Sequence, residues 1–137
     1  ITMTPEEQEL TMLVRSARAS AGTFRPFAVF DEQLDCIRVV WRDCSANEIR
    51  VSSFLTILED NDPPSGEPEC VGCTIKGIAH ICETHNIPPD EPWKLADFLD
   101  AVMMMDNPIA KYTIKKDIRP VVRTQQQLAT VERPVAA

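Results

Sequence analysis

The sequence is poor in glycine, tyrosine and histidine, with four, one and two of them among 137 residues. None of the glycines stands in a G-x-x-x-x-G-K or G-x-G-x-x-G arrangement, where backbone amides gather around a phosphate. This excludes the common nucleotide-binding loops. Long apolar runs are absent too, since Arg, Asp, Ser or Pro interrupts each one well short of the roughly 20 residues that a bilayer requires. We therefore expect no membrane span.

Positive charge is also scarce. Fourteen Lys and Arg stand against 21 Asp and Glu, for a formal net charge of −7. Binding to a phosphate backbone needs a basic footprint that displaces counterions, so we expect no nucleic-acid partner. The imbalance is uneven: residues 1–110 hold 8 basic and 19 acidic residues, whereas the last 27 residues hold 6 basic and 2 acidic. The sequence therefore predicts an acidic body followed by a basic C-terminal segment.

The cysteines bear on the cellular compartment. Five cysteines cannot all pair within one chain, and a chain of 137 residues can bury a core without disulfides. Glu6, Glu7 and Glu9 stand where a secretory signal would be basic and then apolar, so we expect no export signal. The prediction is a cytoplasmic location.

The apolar spacing predicts a single α+β domain over residues 1–118. We expect an antiparallel β-meander packed against an N-terminal helix and a second helix near 91–105. Alternating apolar and polar residues predict the strands, and a polar, breaker-rich loop separates the last two of them. The predicted strand runs are Phe27–Phe30, Leu34–Trp41, Glu48–Leu58 and Cys70–Gly77.

The N-terminal helix has the clearest start. Thr4 suits the N-cap, Pro5 the first helical position and Glu7 the third, which together form a capping box. Apolar residues then recur at helical spacing from Leu10 to Ala21. This stripe is predicted to be buried.

From Gly77 onward the apolar positions fit a helix as well as a strand, and we predict that a strand gives way to a helix there. In the helix near 91–105, Asp90 is the expected N-cap. Its end carries three consecutive methionines, which cannot share one face, so this end is either buried or lines a partner surface. Asn107-Pro108 is predicted to end the helix, and residues 109–118 to form a last strand.

Residues 119–137 are predicted to form a basic tail, with a short helix near Thr124 to Gln127. Opposite charges attract, so the tail either lies along the acidic body, reaches a neighbouring subunit, or moves freely in solvent.

Part of the sheet region resembles a known family. The stretches Phe30–Val39, Glu48–Val51, Leu55–Asp60 and Val71–Ile75 are similar to the hairpin-and-meander pattern of the small DUF2283 family, over residues 27–79 at most. In that family a tyrosine-aspartate turn leads into a strand, then an acidic-ended strand and a Val-Gly-Ile type strand follow. The resemblance implies a β-sheet. The family has no settled activity, so nothing about chemistry is implied.

The most concentrated chemistry is a C-x2-C-x8-C-x2-H pattern. Cys70, Cys73, Cys82 and His85 are candidate ligands for a tetrahedral zinc, with His80 as a substitute. The alternative is that Cys73 and Cys82 are small buried apolar residues, as free cysteines often are. No catalytic or cofactor-binding residues are predicted, and we expect no cofactor, with zinc as the alternative.

Three functions remain open. The first is a non-catalytic protein-interaction module that forms homo-oligomers or binds a protein partner, with contacts made by the sheet, the methionine-rich helix end and the basic tail. The second is a zinc-stabilised binding domain. The third is a small enzyme built on Cys44 beside Ser45, or on the two histidines near Glu83.

Overall fold

The structure is a computed structural model that describes residues 4–20 and 24–134, and for residues 14–20 it describes the helical backbone alone. An antiparallel five-stranded sheet and several helices confirm the predicted α+β class. None of the described helices is long and apolar enough to cross a membrane. The strands are β1 (Phe27–Asp31), β2 (Cys36–Val40), β3 (Ala46–Arg50), β4 (Leu55–Asp60) and β5 (Cys70–Lys76). The helices are α1 (Pro5–Ser20), α2 (Ile78–His85), α3 (Leu95–Met105), α4 (Pro108–Thr113), a π-helical turn (Ile114–Ile118), α5 (Arg119–Thr124) and a 3₁₀ turn (Gln126–Leu128).

The N-terminal helix begins as predicted. Glu7 N–H donates to Thr4 Oγ1 (3.2 Å), and Thr4 N–H donates to Glu7 Oε2 (3.3 Å), so the capping box is formed. In contrast to the expected burial, the side chains of Leu10, Met12 and Leu13 are about 60 to 70% exposed (61%, 69% and 59%). Other helices and the C-terminal segment already cover the core face of the sheet.

The strand order is β1-β2-β5-β4-β3, and every pairing is antiparallel. The order departs from a simple meander at one point, because β5 lies between β2 and β4. Strands β3, β4 and β5 form a meander, and the β1–β2 hairpin joins it through β5. Strands β1 and β3 are the two edges of the sheet.

The predicted strand Glu48–Leu58 is wrong, since it is a hairpin rather than one strand. Ser52 Oγ accepts hydrogen bonds from Phe54 N–H (3.3 Å) and Leu55 N–H (3.1 Å), and the chain reverses there. Ser52 also donates to Asp106, which follows α3. A serine turn inside an alternating apolar run produces the reversal.

The core lies between one face of the sheet and the helices. Phe98, Leu99 and Val102 of α3 are fully buried, and so are Ile78 and Ile81 of α2. They pack against inward side chains of the four strands other than β3. The inward side chains are Ala28, Ile37, Val39, Leu55, Cys73 and Ile75.

The predicted last strand over residues 109–118 is wrong, because this segment is helical. Asn107 Oδ1 accepts a hydrogen bond from Ala110 N–H (2.8 Å), and Pro108 occupies the first turn, so Asn107-Pro108 starts a helix as well as ending one. Ala110, Ile114 and Ile118 are fully buried at helical spacing. The π-helical turn precedes Pro120, which lacks the N–H of a regular helical hydrogen bond.

Helix α3 begins at Leu95 rather than near 91, and Asp90 does not cap it. Lys94 is extended and forms an antiparallel bridge with Thr130, while Leu95 N–H donates to Ala129 O (3.1 Å). The chain before α3 is therefore paired with the C-terminal segment.

The predicted division between body and tail at residue 118 does not separate two parts of the structure. Leu128 and Val131 belong to the same core as the sheet. Phe30 N–H donates to Glu132 O (2.8 Å), and Glu132 N–H donates to Ala28 O (2.7 Å), so the tail covers the β1 edge. Through residue 134 the described tail lies along the body.

Candidate functional site

The first two candidate zinc ligands lie on β5. A bulge opposite Leu58 and Glu59 shifts the register so that Cys70 faces Glu59, while Cys73 faces Ile57. Residues three apart on a regular strand point to opposite faces, and the bulge turns Cys70 and Cys73 to the same face. The bulge therefore brings these two predicted ligands to one side of the sheet.

Burial controls the chemistry of both thiols. Desolvation raises the pKa of Cys70 to about 11 and raises the pKa of the fully buried Cys73 further. Cys70 Sγ donates to Gly72 O (3.3 Å), and Cys73 lies in the hydrophobic core. Because the thiolate is the reactive form, burial lowers the reactivity of both thiols at neutral pH in the metal-free protein.

The other candidate ligands are on α2. Cys82 is half-buried and burial raises its pKa, while His85 at the helix end has a buried Nε2 without a hydrogen-bond partner. His80, the substitute, is exposed and stacks on Phe54 with ring centroids 6.1 Å apart. Over residues 4–20 and 24–134, no three His, Cys, Asp or Glu side chains gather as a metal site. Zinc binding stays the alternative, and it would require these elements to rearrange.

The candidate catalytic groups are also dispersed. Cys44 and Ser45 precede β3 and line a cavity together with Arg42 and Asp60. Arg42 donates to Asp60 (2.8 Å) and to Glu69 (2.7 Å), which anchors the loop before β5. His80 stacks on Phe54, away from the half-buried His85. No histidine is near Cys44 among the residues that line this cavity.

A more apolar cavity of about 640 Å³ lies between α2 and the C-terminal segment. Arg133 covers Trp93 with its guanidinium carbon 4.1 Å from the ring centroid, and it donates to Glu91 O (2.9 Å) and to Pro89 O. Cys82 lines the same cavity. Arg133 thus forms one wall of the cavity.

Two exposed apolar patches remain, and they carry opposite charge. The first, here called the basic surface, has Met104, Ile109 and Tyr112 at its centre, 78%, 66% and 63% exposed. Lys116 Nζ lies 5.6 Å from the Tyr112 ring centroid, and Lys111 lines a cavity together with Met104 and Asp100. The lysines of this surface are Lys111, Lys115 and Lys116.

The second patch, here called the acidic arm, is residues 5–13 of α1. It exposes the apolar side chains of Leu10, Met12 and Leu13. Glu6 and Glu9 are exposed beside them.

The three methionines at the end of α3 differ in exposure. Met104 is exposed, whereas Met103 and Met105 are partly buried against the core.

Sequence inspection missed Arg133 as the cover of Trp93, and it missed Asp35, whose carboxylate caps α2. Both contacts join residues about 40 positions apart, so no local pattern reveals them. Comparison with protein-family models, curated proteins and solved structures gives no match. The DUF2283 resemblance of residues 27–79 stays a prediction.

Proposed function

We propose that this protein is a non-catalytic interaction module that associates with further copies of itself. In this proposal the acidic arm of one copy docks on the basic surface of another. The observation that carries it is that both patches are apolar at the centre, exposed, and opposite in charge. Exposed apolar patches rimmed by charge are typical of protein-binding surfaces.

The apolar groups supply the attraction at short range. Leu10 and Leu13 lie three residues apart on one side of the acidic arm, and Ile109 and Tyr112 have the same spacing on α4. Burying a large apolar side chain from water contributes about 1.5 to 3 kcal/mol. Four such residues would together contribute about 6 to 12 kcal/mol, which is comparable to the cost of bringing two copies together.

Charge favours contact between the acidic arm and the basic surface over contact between two patches of the same charge. Among the described side chains, no carboxylate lies within ion-pair distance of Lys111, Lys115 or Lys116. Arg119, by contrast, is already paired with Asp100. The lysines of the basic surface are therefore available to Glu6 and Glu9 of a second copy, and the attraction weakens as salt screens it.

The rest of the structure supports a role without catalysis. Burial raises the pKa of Cys70, Cys73 and Cys82, so these thiols stay protonated at neutral pH. The two histidines lie in different environments, since His80 is exposed against Phe54 and His85 is half-buried. All five cysteines are free, which suits the reducing cytoplasm that we propose as its location.

Charge reversal tests the proposal by sedimentation velocity over a range of concentrations. Glu6→Lys/Glu9→Lys reverses the acidic arm and leaves the capping residue Glu7 intact. Lys111→Glu/Lys115→Glu reverses the basic surface. Each double variant is expected to form smaller oligomers than the unaltered chain at the same concentration. An equal mixture of the two is expected to associate, because opposite charges then meet across the contact.

Arg25→Glu/Arg38→Glu is the matched control, since both arginines are exposed and lie outside the two patches. It is expected to associate as the unaltered chain does. An unaltered chain that stays monomeric at every concentration and at low salt would overturn the proposal. So would a mixture of the two reversed variants that sediments no faster than either variant alone.

A further inference from the structure

Strand β3 is an open edge of the sheet. At the opposite edge, β1 is bonded to Glu132 of the C-terminal segment, whereas β3 is the last strand in the order and its residues 47–50 are exposed. Open edges present unpaired backbone groups that can pair with another strand. The chemistry of β3 therefore decides which strand it accepts.

The hydrogen bonds of the β3–β4 hairpin show which backbone groups are free. Near the turn, Val51 N–H donates to Leu55 O (2.9 Å), and at the other end Asn61 N–H donates to Ser45 O (2.9 Å). Residues of antiparallel strands bond alternately to the two sides, so odd-numbered residues of β3 bond to β4. The even-numbered residues point their N–H and C=O groups outward. They are Ala46, Glu48 and Arg50.

We infer that β3 pairs antiparallel with the β3 strand of a second copy of this chain, about a two-fold axis at Ile49. In this register Glu48 of each copy lies opposite Arg50 of the other, and their outward backbone groups exchange hydrogen bonds. Ile49, which is 40% exposed, faces its own counterpart. The two sheets become one sheet of ten strands.

The charges select this register over its neighbour. Pairing centred on Glu48 also satisfies the outward backbone groups, but it sets two Glu48 carboxylates directly opposite each other, which is unfavourable. Pairing centred on Ile49 replaces that repulsion with two ion pairs of opposite sign. The sequence Glu-Ile-Arg is thus self-complementary in one antiparallel register. The contact is separate from the acidic arm and the basic surface, and it does not depend on their docking.

A disulfide test reports the register directly. Residues at the two-fold axis form a non-hydrogen-bonded pair with Cα atoms about 4.5 Å apart, within disulfide range. Ile49→Cys is therefore expected to give a covalent dimer on mild oxidation, seen on a non-reducing gel. Asn47→Cys is the matched control on the same strand. In the inferred register its two copies lie about 14 Å apart, too far to bridge.

The charges are tested in the Ile49→Cys background. Glu48→Arg and Arg50→Glu are each expected to lower the yield of covalent dimer, and the combined exchange Glu48→Arg/Arg50→Glu is expected to restore it. Adding Glu6→Lys/Glu9→Lys is expected to leave the yield unchanged, which separates this contact from the docking of the acidic arm. No dimer above the background of the unaltered chain would overturn the inference. Equal yields for Ile49→Cys and Asn47→Cys, or no recovery in the combined exchange, would overturn it as well.

Discussion

Asp35 caps a helix that begins more than forty residues later, because its carboxylate Oδ1 accepts a hydrogen bond from Ala79 N–H (3.0 Å). Its backbone carbonyl also accepts from Gly77 N–H (3.1 Å) and Ile78 N–H (3.2 Å). Helix α2 has no cap from its own preceding residue. The turn between β1 and β2 therefore supplies the partners that the first turn of α2 lacks.

Removing this cap is expected to destabilise the fold. Asp35→Ala should lower the free energy of unfolding by more than about 1 kcal/mol, the usual value of an N-cap, because alanine also tolerates the φ of 50° at residue 35 poorly. Asp35→Gly should lower it less, because glycine adopts this backbone without strain and so offsets part of the lost cap. Asp35→Asn keeps an acceptor and tolerates the backbone, so its loss should be smaller than either. Urea unfolding measures all three, and an Asp35→Ala variant as stable as the parent would contradict the role of Asp35.

Gly72 is predicted to be intolerant of a side chain. A Cβ at this position would lie 2.3 Å from Val39 O on the neighbouring strand and 3.0 Å from Leu58 Cδ1. Gly72→Ala should therefore lower the free energy of unfolding by at least about 1 to 3 kcal/mol, the usual cost of overpacking. Gly66→Ala is a comparison variant with open space, since no atom lies within 4 Å of the added Cβ and any loss there reports the strain of alanine at a φ of 75°. A Gly72→Ala variant with the urea midpoint of the parent would show that the close approach at Gly72 is not limiting.

The Arg42–Glu69 pair predicts a pH dependence. The hydrogen bond from Arg42, with a second from Ser65, lowers the pKa of Glu69. A lowered pKa in the folded state means that the pair contributes stability above the ordinary pKa of a glutamate, and the contribution is lost as pH falls through the folded value. We expect the loop 61–69 to loosen in acid for that reason.

Carboxyl chemical shifts measured by NMR through a pH titration test this. The pKa of Glu69 should lie below the ordinary range of a glutamate, and Arg42→Met should raise it toward that range. A Glu69 pKa that is unchanged by Arg42→Met would show that the guanidinium is not its cause.

Zinc is expected to be absent from the purified protein at stoichiometric level, because the four candidate ligands do not gather. Elemental analysis after dialysis against a metal-free buffer measures it. About one zinc per chain, lost together with stability in Cys70→Ser and kept in Cys44→Ser, would contradict this expectation and restore the zinc-stabilised binding domain.

Local patterns in the sequence predicted elements whose determinants are local. The capping box of Thr4 and Glu7 and the alternating residues of β1, β2 and β5 are of this kind. The two wrong strand predictions arose where one sequence pattern is compatible with two local structures. Asn107-Pro108 both ends α3 and caps α4, and Ser52 reverses a run that alternates like one strand.

The candidate sites were less predictable, because they depend on contacts between distant segments. The spacing of Cys70, Cys73, Cys82 and His85 says nothing of how β5 and α2 pack, and packing puts Cys73 in the core. The exposure of Leu10 and Leu13 likewise depends on which other elements cover the core face of the sheet. An amphipathic pattern shows that a helix has an apolar side, and the rest of the fold decides whether that side is covered.

The bonds that Glu132 makes to Ala28 and Phe30 have a consequence for biosynthesis. Strand β1 is among the first parts of the sheet to be translated. Its outer backbone groups stay without these partners until residue 132 has left the ribosome. During that interval the nascent chain presents two unguarded strand edges instead of one. Crowded polysomes and truncated products therefore carry the greatest hazard of mispairing, and a stop codon before residue 132 would make that hazard permanent.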